Sequence, residues 1–175
     1  GCLHALEVDA RAVGTRFVSG YRGYERLPQA LRDRIEGMKA LHVRERVYDR
    51  PTRLTDLQAG DICTVHDMVR TDPVNGRKFL FVNQAWTAQV IGLSEAESDA
   101  LLQEIYSHFY VEDDVHEHRW VNGDLVLWNN ITLQHARGLA GEGQRTLQRV
   151  TITDLGYAQQ YPTDAGIYNE LHNDT

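Results

Sequence analysis

A histidine, His135, closes the run Gly123-Asp124-Leu125-Val126-Leu127-Trp128-Asn129-Asn130-Ile131-Thr132-Leu133-Gln134-His135. Arg145 follows ten residues later, and Arg149 four residues after that. A neutral imidazole is a common ligand of divalent metals, and a neighbouring polar group fixes its tautomer. Asn130 and Gln134 are the nearest candidates for that neighbour. Guanidinium groups grip carboxylates through paired N–H donors. Four residues apart on an extended stretch, Arg145 and Arg149 share one face. A histidine after a strand and turn, followed by a strand with inward arginines, suits a metal ion that holds an α-keto acid. Each residue also has a plainer reading on its own. His135 would be a hydrogen-bonded histidine at a strand end, and the arginines a solvated basic edge.

The elements that must position these residues are short and mostly β. Leu3 to Val8 and Thr15 to Val18 read as strands around a turn at Gly14. Leu27, Leu31, Ile35 and Met38 recur at helical spacing, with Pro28 suited to a first helical turn. Ile62 to His66 is a β-rich run, Asp72-Pro73-Val74-Asn75-Gly76 a turn, and Phe79 to Val82 a strand. Ser94-Glu95-Ala96-Glu97 is a capping box opening a helix with apolar Leu101, Leu102, Ile105 and Phe109. His116 to Val121 and Leu125 to Trp128 flank Asn122-Gly123, a strong hairpin signal. Leu147 to Thr153 reads as the last strand, and the polar stretch 156–175 is unassigned. Many short strands with flanking helices predict a mainly β domain, a jelly roll or related sandwich, over 1–175 as a single unit. A generic α+β domain fits the same pattern.

The whole chain narrows the class. It has 175 residues, 42% of them hydrophobic and 25% charged, as in ordinary globular proteins. A net charge of -7 argues against a nucleic-acid partner. No apolar run has the length of a membrane span, and nothing reads as a signal peptide, so the cytoplasm is the default expectation. Cys2 and Cys63 could pair, but two cysteines imply no disulfide framework. Whether the protein is a homo-oligomer stays open.

These residues, taken in order, resemble the taurine dioxygenase family of iron(II)- and 2-oxoglutarate-dependent oxygenases. Trp128-Asn129-Asn130 stands where that family writes Trp-Asp-Asn. Val13-Gly14-Thr15-Arg16-Phe17 is similar to its Gly-Gly-Asp-Thr segment, and the stretches Val69 to Lys78 and Phe81 to Asn83 to its hairpin. The resemblance covers about residues 3–153. It implies a double-stranded β-helix (cupin-like jelly roll) with Fe(II) as metal and 2-oxoglutarate as cosubstrate. It also implies oxidation of a small organic substrate, with release of succinate and CO2. In that reading His135 is an iron ligand, Arg145 and Thr15 hold 2-oxoglutarate, and Arg149 and Trp86 meet a small substrate that Arg149 would make anionic. The competing reading is a non-catalytic jelly-roll binding or scaffold domain that kept the fold and lost the iron.

The family takes two further iron ligands from a His-x-Asp/Glu motif ahead of the Thr15 segment, and nothing before Thr15 qualifies. The only such motif is His172-Asn173-Asp174. Three accounts stay open. The chain is a fragment, or it has a permuted order with His172 and Asp174 as ligands beside His135, or it is a relative without iron. His116-Glu117-His118, with Asp113 and Asp114 nearby, is a second cluster of metal-binding residue types. It reads more simply as a solvated strand edge.

Overall fold

The computed structural model describes residues 1–44, 52–58, 61–139 and 141–152. In chain order the elements are β1 (Cys2–Val8), β2 (Thr15–Ser19), α1 (Gly20–Arg26), α2 (Gln29–Ile35), β3 (Lys39–Val43), β4 (Cys63–Asp67) and β5 (Val69–Thr71). Then come β6 (Lys78–Leu80), β7 (Thr87–Val90), α3 (Glu95–Phe109), β8 (His116–His118), β9 (Leu125–Leu127), β10 (Leu133–Arg137) and β11 (Arg145–Val150). Among the described residues the architecture is mainly β with flanking helices, the jelly-roll class expected.

Two antiparallel sheets frame the site, in the orders β11-β1-β9 and β10-β2-β8. Non-consecutive strands lie side by side in both, the signature of a jelly roll rather than a meander. A third sheet, β4-β3-β7, and the β5-β6 hairpin carry the middle of the chain. The larger core joins Leu27, Leu31 and Ile35 to Leu101, Leu102, Ile105 and Phe109 of α3, with Ala40, Met68, Leu80 and Val90 from the strands. The apolar positions at helical spacing in α3 therefore face one core, as their period required. Its capping box forms: the Ser94 hydroxyl accepts from the Glu97 amide and the Glu97 carboxylate accepts from the Ser94 amide.

Several expectations need correction. Asn122-Gly123 forms a turn, with Gly123 at φ 88°, but no hairpin. β8 pairs with β2, whereas β9 pairs with β1 in the other sheet. The turn spends its backbone on β1 instead: Gly123 donates to the Ala5 carbonyl and Ala5 to the Asp124 carbonyl. The helix expected through Leu27 and Met38 is α2, which starts after Pro28 and stops short of Met38, and the pattern did not mark α1 before it. Pro28 lacks an N–H and forces Leu27 out of the helical region, so α1 ends there and α2 begins after it. Met38 precedes a strand, β3, that the pattern did not mark. β3 is a central strand buried on both faces, so it lacks the alternation that reveals a half-exposed strand. Cys2 and Cys63 are buried free thiols in different sheets.

Candidate active site

The register of β10 on β2 organises the site. Opposed residues on antiparallel strands point to the same side. His135 lies opposite Phe17, and Arg137 opposite Thr15. These four therefore share one face, while Gln134 and Ala136 point to the other. The His135 ring packs 4.8 Å from Trp128 and 6.2 Å from Phe17, centroid to centroid. Its pKa is lowered by this partial desolvation and, secondarily, by the Arg149 charge. Both effects favour the neutral imidazole, the form that ligates metals.

Arg145 comes in from the other sheet, at the end of β11 opposite Val8. Its Nη1 donates to the carbonyls of Val13 and Gly14 and lies 3.2 Å from the Thr15 hydroxyl. The same hydroxyl accepts from the Trp120 indole N–H at 2.9 Å. Thr15 is buried and Trp120 nearly so. Gly14 permits the close approach, since a Cβ there would meet the His118 carbonyl oxygen at 2.8 Å. Among the described residues no carboxylate pairs with Arg145. Desolvation, then the Arg137 charge, lowers its pKa.

A cleft of about 460 Å³ adjoins His135 and Phe17 and is lined also by Trp86, Tyr110, Gln134 and Arg137. That size is ordinary for a small-molecule site. The cleft takes in Leu133 through Arg137 without a gap, so it borders the free edge of β10 rather than one face. Trp86 is not core: it is 48% exposed. Its loop is fixed by the Asn83 side chain, which accepts from the amides of Ala85 and Trp86. Arg149, also on β11, is exposed.

Neither expected partner of His135 serves it. Gln134 accepts from the Tyr110 hydroxyl and donates to the Val82 carbonyl, tying β10 to the segments beside it. Asn130 accepts from the Trp128 indole. His116-Glu117-His118 is strand β8, and His118 pairs with Asp124 while Glu117 lies beside Arg16. Asp114 is paired with Arg22 and Arg26. No group of three or more His, Cys, Asp or Glu suited to a metal occurs among the described residues. His172 and Asp174 lie outside them.

Pattern reading missed Trp120 as the second donor to Thr15, and it missed Arg137. The latter left a signal, since it stands two residues beyond His135 on one strand and hence on its face. Trp120 left none, because its contact spans 105 residues of chain.

The fold is an antiparallel jelly roll in which His135 of β10 and the Arg145 guanidinium of β11 approach β2 from two sheets. The chain belongs to the taurine catabolism dioxygenase TauD, TfdA family, whose model matches residues 1–151. It is 34% identical over 156 residues to the alpha-ketoglutarate-dependent 2,4-dichlorophenoxyacetate dioxygenase of Cupriavidus pinatubonensis, covering 87% of this chain and 54% of that protein. It is 29% identical over 183 residues to pentalenolactone F synthase of Streptomyces avermitilis, covering 94% and 60%. The crystal structure of a taurine dioxygenase from Burkholderia xenovorans shares the fold, with a TM-score of 0.70 at 21% identity over 83% of this chain and 49% of that one. The chain thus spans 54% and 60% of the length of these two curated relatives.

Proposed function

We propose that the chain works as an iron(II)- and 2-oxoglutarate-dependent dioxygenase acting on a small organic substrate. The observation that carries this reading is the Arg145 guanidinium. It is drawn from β11 onto the Thr15 hydroxyl of β2, without a carboxylate partner, one strand face from His135. A desolvated cation is costly unless it is paired, and the carboxylate of a keto acid fits the vacant side of the fork. Fe(II) with 2-oxoglutarate and O2 would supply oxidation of a substrate C–H bond, releasing succinate and CO2.

The chain's own residues do the rest. His135 offers an imidazole that packs beside the rings of Trp128 and Phe17. Arg145 and Thr15 orient the keto acid. His172 and Asp174, the one His-x-Asp pair of the sequence, are the proposed second imidazole and the carboxylate of a two-His, one-carboxylate iron site. Trp86 shapes the apolar side of the cleft, and Arg149 favours an anionic substrate. The names of the two curated relatives, one acting on a phenoxyacetate, fit a small-molecule substrate. No helix among the described residues is long and apolar enough to cross a membrane, and the cytoplasm remains the proposed location.

The test is anaerobic titration of 2-oxoglutarate into the metal-loaded chain and its Arg145→Met variant. A hydrogen bond to a charged group contributes about 1.5–3 kcal/mol, so the dissociation constant should rise by more than about tenfold. An unchanged constant refutes the reading.

A further inference from the structure

We infer that Arg137 is a second guanidinium of the keto-acid site, closing with Arg145 on one carboxylate of the bound 2-oxoglutarate. The inference rests on the reading proposed above and extends it to a residue that reading does not use.

Three observations carry it. First, Arg137 lies directly opposite Thr15 in the β10–β2 register, and opposed residues of an antiparallel pair point the same way. Thr15 is the residue whose hydroxyl Arg145 contacts at 3.2 Å from the facing sheet. Arg137 therefore stands on the face of β10 beside the threonine that Arg145 contacts, and its charge acts on Arg145. Second, neither has an acidic partner among the described residues, although the chain carries 25 acidic residues against 18 basic ones. On the neighbouring β2 and α1 the arginines do have acidic partners: Arg16 pairs with Glu112, and Arg22 and Arg26 with Asp114. Third, Arg137 also lines the cleft that adjoins His135, so its head group opens onto the space a ligand would enter.

Two like charges near each other repel, and the Val13, Gly14 and Thr15 oxygens that accept from Arg145 carry no full negative charge to cancel this. An anion between them reverses the sign of the interaction. A carboxylate has two oxygens and can accept from two forks at once. Arg145 approaches through Nη1 already committed to the Val13 and Gly14 carbonyls, which fixes its plane. Arg137 is exposed at the cleft wall and reaches the same anion from the opposite strand.

The experiment is anaerobic calorimetric titration of the Mn(II)-loaded chain with 2-oxoglutarate and with 2-oxobutyrate, which lacks the distal carboxylate. Wild type, Arg137→Met, Arg145→Met, the double variant and a charge-matched surface control, Arg34→Met, are compared after circular dichroism shows that each is folded. Arg137→Met should weaken 2-oxoglutarate binding by about two- to fivefold and leave 2-oxobutyrate unchanged, as expected for one exposed ion pair to the distal carboxylate. The double variant should lose less than the product of the two single losses, because both act on one group. Wild-type affinity in Arg137→Met overturns the inference, as does equal weakening for both keto acids or an equal effect of Arg34→Met. Unchanged 2-oxoglutarate affinity in Arg145→Met overturns the parent reading and this one with it. A loss in Arg145→Met alone overturns only this one.

Discussion

At the scale of single residues, His42 shows how burial sets chemistry away from the site. It is 7% exposed on β3, its Nδ1 lies 3.3 Å from the Thr87 hydroxyl, and its Nε2 has no partner. Desolvation, then the charges of His66 and Arg70, lower its pKa to about 4. The unfolded chain protonates this histidine near pH 6.5, so between there and about 4 the unfolded state binds more protons. The histidine's contribution is therefore complete above pH 6.5 and is lost as pH falls through that window. Between pH 7 and pH 5 the loss should be about 2 kcal/mol. His66, lowered chiefly by burial, acts with the same sign. Urea denaturation at the two pH values checks this. His42→Phe should remove most of the slope, and an undiminished slope assigns it to other groups.

At the scale of elements, α1 is a seven-residue helix with no side-chain cap, too short to persist alone. It is held by packing, and Gly23 is where α3 touches it. A Cβ at Gly23 would lie 2.3 Å from the ring of Phe109, a residue with no exposed surface. Gly23→Ala should therefore destabilise the fold by about 1–3 kcal/mol despite alanine's better helix propensity. A thermal midpoint equal to wild type would mean that α1 moves away from α3 without cost. The same helix shows where sequence reading stops. Its run, Gly20-Tyr21-Arg22-Gly23-Tyr24-Glu25-Arg26, has no apolar period, and only the partner 86 residues away makes it helical. α3 was legible because its cap and its stripe are local. The turn between β5 and β6 was legible through its residues, Asp72 accepting from Val74 and Asn75, and the hairpin around it came from the family resemblance. The Asn122-Gly123 turn was legible as a turn and misleading as a hairpin, because dihedral preference says nothing about which strand pairs next. The pairing of Thr15 with Arg145 came from the order of motifs in a resembling family. No local pattern joins residues 130 apart.

At the scale of the whole molecule, β1 is the strand on which both ends of the described chain meet, with β9 on one side and β11 on the other. Neither Thr15 nor Arg145 is near the other until β11 has docked on β1. Keto-acid binding should therefore be linked to global rather than local unfolding. At a hundred times its dissociation constant, 2-oxoglutarate should raise the unfolding free energy by about 2.7 kcal/mol. Differential scanning calorimetry with and without the ligand checks this, and a melting temperature insensitive to 2-oxoglutarate would separate binding from the closure of the two sheets.

That closure has a meaning in time as well as in space. The Val13, Gly14 and Thr15 acceptors are synthesised some 130 residues before the guanidinium that binds them. A growing chain holds one half of the grip long before the other. On the proposed function, a nascent or nicked form lacking β11 would lack the Arg145 guanidinium, and the capacity to bind a keto acid would be withheld until the last described strand is in place.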